Sequence, residues 1–122
     1  MTAIPEEITP YLAPIFERKP LSVAAIDVRE LTSYTDTVVI VEASSNRQAR
    51  ALSEHIVTAL KKQDKQVLGA EGIKEGEWAL LDYGDIVIHV FESEARTFYD
   101  IDGLWSDAPR MDLSEYGMPG EA

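Results

Sequence analysis

Glu75-Gly76-Glu77-Trp78-Ala79-Leu80-Leu81-Asp82-Tyr83-Gly84-Asp85-Ile86-Val87-Ile88-His89-Val90-Phe91 reads as two strands joined by a tight turn. Gly84 supplies the positive φ that a two-residue hairpin loop requires. With Tyr83-Gly84 as the loop, counting outward sets Asp82 against Asp85, Leu81 against Ile86, Leu80 against Val87, Ala79 against Ile88 and Trp78 against His89. Side chains alternate between faces along a strand. Ala79, Leu81, Ile86, Ile88 and Val90 therefore share an aliphatic face suited to a core. The other face carries Trp78, Leu80, Asp82, Asp85, Val87, His89 and Phe91, and its mixture of aromatic, aliphatic and anionic groups suits an interface better than a core.

Upstream of the hairpin, residues 66–70 read as a short strand. Before it, Ala49, Leu52, Ile56, Ala59 and Leu60 make one apolar helical stripe running to about residue 63. Ser45 and Gln48, three residues apart, form a capping-box pattern at its start. The β-branched run at residues 37–43 and the run at 21–28 predict two further strands. Residues 1–20 keep helical spacing at Ile4, Ile8, Leu12 and Ile15, but Pro14 strains the second turn and predicts a short or broken helix. Downstream, Ser93 is placed to cap a short helix through Phe98. Tyr99, Ile101, Leu104 and Trp105 form a second apolar cluster expected to fold back on the sheet. From Asp107 onward, Pro109, Gly117, Pro119 and Gly120 among polar residues predict a flexible tail. The expected organisation is a helical segment over 1–20, an α/β domain over 21–106 and the tail over 107–122.

The 122 residues suffice for one domain with a sizeable core. No run of 18 apolar residues is present, so no membrane span is expected. There is no cysteine, which removes disulfides and thiolate metal sites. Neither a transit pattern nor a signal core opens the chain, and a cytoplasmic protein is the plain expectation. The net charge of −11 is uneven: residues 21–70 balance six acids with six bases, whereas residues 71–122 hold thirteen acids and three bases. Little direct contact with nucleic-acid phosphate is expected of such a chain. A basic protein partner is more natural.

Motifs for chemistry are sparse. There is no P-loop, HExxH, GxSxG or GxGxxG, and Gly69, Gly72 and Gly76 are spaced as turn glycines. His89 faces Trp78 in the expected register and serves either as a half-buried sheet histidine or as an interface donor. His55 sits on the capped helix as a solvated or flanking residue. Asp82 and Asp85 form a solvated turn pair, a dock for Lys or Arg, or a divalent-metal pair.

Asp27-Val28-Arg29 before Leu31-Thr32, together with Ser45-Asn46-Arg47-Gln48, resembles the first half of the ribosomal silencing factor family, also called Iojap-like. Glu71-Gly72, Gly76-Glu77-Trp78, Leu81-Asp82-Tyr83-Gly84-Asp85, Val87, His89 and Phe91 resemble its central signature. Arg96, Phe98-Tyr99-Asp100, Leu104-Trp105 and Asp107-Ala108-Pro109 resemble its closing motif. The resemblance covers about residues 20 to 109.

It implies a single-domain α/β fold with a mixed four- or five-stranded sheet. Helices would pack mainly on one face, in a nucleotidyltransferase-like core without catalytic residues. It further implies a non-enzymatic repressor of translation in starvation, needing no cofactor or metal. Such a protein binds the large ribosomal subunit through that subunit's fourteenth protein and blocks joining of the small subunit. Trp78, Leu80, Asp82, Tyr83, Asp85, His89, Phe91, Tyr99 and Trp105 are the expected partner-binding residues. An exposed sheet edge would permit a homodimer. Two rivals stand beside this: a metal-dependent nucleotidyltransferase using Asp82 and Asp85, and a regulatory domain holding a small molecule against the Trp78 face.

Overall fold

The β-branched run at residues 37–43 has no polar face to offer water, and in a computed structural model describing residues 1–117 it is a strand buried on both sides. Five strands form one sheet: β1 Ser22–Asp27, β2 Thr37–Ala43, β3 Gly69–Glu71, β4 Trp78–Asp82 and β5 Ile86–Glu92. Their order is β1-β2-β5-β4-β3. The central β2–β5 pair is parallel and the three flanking pairs are antiparallel.

Four α-helices accompany the sheet: α1 Thr9–Phe16, α2 Asn46–Lys61, α3 Ser93–Tyr99 and α4 Ile101–Leu104. The α2 stripe of Ala49, Leu52, Ile56 and Leu60 packs on Leu81, Ile86, Ile88 and Val90, and α1 adds Leu12 and Ile15. Each such aliphatic side chain contributes roughly 1.5–3 kcal/mol by leaving water. The aliphatic face read from the hairpin is thus the main core. Ser45 Oγ accepts the Gln48 N–H at 3.0 Å. Gln48 Oε1 reaches back to the Ser44 N–H, at 2.6 Å, one residue before the cap. On the other face, α3 and α4 cover Ala24, Ile26, Val28, Val38, Ile40 and Phe91.

Three details differ from expectation. The hairpin register moves by two residues: Trp78 pairs with Phe91, Leu80 with His89 and Asp82 with Val87. Tyr83 N–H donates to Ile86 O at 2.9 Å, so the loop is Gly84-Asp85. Gly84, at φ +89°, stands first in it, as a type II′ turn requires. A two-residue shift keeps the paired residues of β4 and β5 on their expected faces, which a one-residue shift would not, but it moves Asp85 off its expected face into the loop.

The predicted tail is the second difference. Asp27 N–H donates to Pro109 O at 2.9 Å and Met111 N–H to Ala25 O at 2.8 Å, so this segment closes the outer edge of β1. Ala108, Met111 and Leu113 are buried beneath it, enough apolar surface to hold a segment otherwise rich in polar residues. Residues 118–122 of the predicted tail lie outside the described residues. Thirdly, Glu92 rather than Ser93 caps α3, accepting the N–H groups of Glu94 and Ala95. Ser93 instead donates to Ala43 O at 3.1 Å, linking the ends of the two parallel strands. The N-terminal segment is a short helix as expected: a 3-10 turn, Glu6–Ile8, runs into α1 with Pro14 inside it.

Candidate interaction face

On the face away from α2, β4 presents Trp78, Leu80 and Asp82, each half-buried. Opposite them on β5 lie Phe91, His89 and Val87, all buried. The difference follows from sheet order. β5 is central and lies under α3, whereas β4 is flanked by β3, whose Gly69, Ala70 and Glu71 are exposed.

Trp78 Nε1–H donates to His89 Nδ1 at 3.0 Å. That bond leaves the neutral imidazole protonated on Nε2. Desolvation pushes the His89 pKa down to about 4, so the ring is uncharged at neutral pH. Trp78 stacks on Phe91 at 5.1 Å between centroids and meets Tyr99 at 4.7 Å. Phe98 in turn stands edge-on to Tyr99 at 5.0 Å. An aromatic ladder thus climbs from fully buried Phe91 to Phe98, which is 80% exposed.

Of the nine residues expected to meet a partner, Phe91, His89 (7% exposed) and Tyr83 (9% exposed) are buried and Trp105 is half-buried against the second-face core. Tyr83 faces the α2 side and packs edge-on against Tyr11 at 5.4 Å. Leu80, Asp82, Asp85, Tyr99 and part of Trp78 reach the surface. Asp82 and Asp85 are not opposed. Asp82 Oδ1 accepts the Gly84 N–H at 2.8 Å. Burial and then the Asp82 charge raise the Tyr34 pKa, whereas burial and then Asp85 raise that of Tyr11. The two carboxylates therefore look toward different tyrosines. His55 ties α2 to the end of α1 through Glu17 at 2.8 Å, as a flanking residue would.

Two features escaped the sequence reading. Arg96, on α3, bridges Glu42 of β2 at 2.9 Å and chelates Asp102 of α4 at 2.8 and 3.1 Å. Burial alone would raise the pKa of both acids, but hydrogen bonds, including those from Arg96, leave both low. Phe98 is the other. No sequence signal marked it: Phe98 and Tyr99 follow buried Ala95 by three and four residues, the spacing that puts all three on one helix face, yet Phe98 is left in the open.

Residues 2–121 match the family model described as "Ribosomal silencing factor during starvation". A Bacillus subtilis protein named ribosomal silencing factor RsfS is 32% identical over 102 residues, covering 84% of this chain and 86% of that protein. A Chromobacterium violaceum protein of the same name is 37% identical over 87 residues, covering 71% of each. A crystal structure of a Chromobacterium violaceum protein superposes with a TM-score of 0.78 at 30% identity, covering 96% of this chain and 89% of that one.

Proposed function

We propose, since the chain belongs to the ribosomal silencing factor family, that it binds the large ribosomal subunit through that subunit's fourteenth protein and blocks joining of the small subunit. The observation that carries this reading is the uncovered strip formed by Trp78 and Leu80 of β4 with Tyr99 of α3. Its acidic surroundings suit a basic ribosomal protein. Such a protein acts by occupying space and needs no reaction, and the cytoplasm is its place of work. The nucleotidyltransferase rival is weakened by geometry, because it needs convergent carboxylates and Asp82 is committed to its own turn.

Sedimentation with purified subunits tests the proposal. Wild type should pellet with large subunits, not small ones, and should reduce the yield of joined ribosomes. Binding should weaken with added salt, since exposed charges are screened over about 8 Å at physiological ionic strength. Leu80→Lys should weaken it about thirtyfold or more, a hot-spot-sized effect, with the thermal midpoint little changed. Wild type left in the supernatant at low salt would overturn the reading.

A further inference from the structure

The strands β2 and β5 are parallel neighbours, yet the helices that follow them leave on opposite faces of the sheet: α2 onto one core, α3 onto the other. Such a divergence opens a crevice beyond the carboxyl ends of the strands, the place where open α/β sheets hold ligands. Here it is a groove of about 630 Å³. Phe98 and Tyr99 form one wall, the start of α2 at Asn46 forms the other, and Glu77, Glu92 and Glu94 surround it. Gly76, at φ +73°, sets Glu77 there: the chain passes so close to Asn46 that a β-carbon at residue 76 would strike the Asn46 carbonyl.

The walls are prepared for an occupant. Phe98 is 80% and Tyr99 43% exposed, and Tyr99 is held from behind by Trp78. Glu92 is occupied in capping α3. No Lys or Arg lines the groove among the described residues. The amide end of α2 brings about half a positive charge, which three full carboxylates outweigh.

We propose that this groove receives a lysine or arginine side chain from an extended, basic segment of a protein partner. The aliphatic stem lies along Phe98, the cation sits over the aromatic wall, and Glu77 and Glu94 pair with it. A second copy is the poorer occupant, because two chains of net charge −11 repel. Nucleic acid is poorer still, since its phosphates would face the glutamates. The inference rests on the ribosomal-protein reading above and extends the contact surface beyond the strip on β4.

The test is titration of purified large subunits with wild type, Phe98→Ala and the pair Glu77→Gln with Glu94→Gln. All three substituted residues are exposed, and unchanged circular dichroism and thermal midpoint verify the fold. Phe98→Ala should weaken binding about tenfold, and the neutralised pair should weaken it several-fold and flatten its salt dependence. If wild type binds and both variants bind equally well with the wild-type salt slope, the groove is not used and this inference alone falls. If wild type itself fails to bind, the functional reading falls and takes this one with it. Sedimentation velocity and protein-free ribosomal RNA supply the remaining arms. A wild-type dimer that Phe98→Ala converts to monomer, or RNA binding that Phe98→Ala abolishes, would overturn the basic-protein occupant.

Discussion

The Trp78–His89 hydrogen bond ties the fold to pH. His89 titrates near 6.5 when unfolded and is pushed down to about 4 by burial. Above pH 6.5 both states are neutral and the full stability is present. As pH falls from 6.5 toward 4 the unfolded chain takes up a proton that the folded chain refuses, and stability is lost. The gap corresponds to roughly 3 kcal/mol. His89→Gln keeps an acceptor for the indole N–H but does not titrate. Urea unfolding between pH 7 and 4 should show wild type losing roughly 3 kcal/mol more than the variant. Equal slopes would mean that the folded ring takes up its proton over the same pH range as the unfolded one, with no cost from burial. The low carboxylates of Glu42 and Asp102 act in a lower window, holding stability above their ordinary pKa and losing it as pH falls through the folded values. Alternation in the sequence was enough to place His89 and Trp78 on one face. It could not show that β5 lies beneath a helix while β4 does not, because cover is a property of neighbours far along the chain.

Among the elements, α3 and α4 depend most on a single side chain. Their seven and four residues are too short to be stable alone, and Asp100, at φ 48°, breaks the chain between them. Arg96 holds both to the C-terminal end of β2 by pairing with Glu42 and Asp102. Arg96→Met should cost about 3 kcal/mol, because it leaves part-buried Glu42 without its cation and Asp102 with only the longer contact to Arg110 at 3.7 Å. Arg96→Lys should restore less than half, since a point charge cannot chelate Asp102 and reach Glu42 together. Thermal unfolding of the two variants measures this, and a lysine variant matching wild type would show that charge alone suffices. α2 was legible in advance because its stripe is long and its cap is local. The hairpin was legible as a hairpin, but Gly84 fits the first place of one turn type and the second of another, so the register was not. The segment after Asp107 was misread because two inward residues, Met111 and Leu113, are too few to show a period.

For the whole molecule, sheet order decides how the parts depend on one another. The β1–β2 and β4–β5 pairs join neighbours in sequence, whereas Thr37 of β2 must find Ile86 of β5. That pairing spans α2, β3 and β4, and it supplies Ile86, Ile88 and Val90 to the α2 stripe. Distant pairings form late because loop closure precedes the contacts that reward it. During synthesis, therefore, α2 has α1 and β2 to pack against but lacks the β5 part of its apolar contacts until β5 has left the exit tunnel. Chains arrested at increasing lengths should remain protease-sensitive through β4 and gain protection in one step once β5 is free. Protection appearing when only β1, β2 and α2 have emerged would show that they fold without it. A chain cut before Ile86 is consequently not a weaker form of the protein but a nascent polypeptide whose amphipathic helix is only partly covered, a substrate for chaperones.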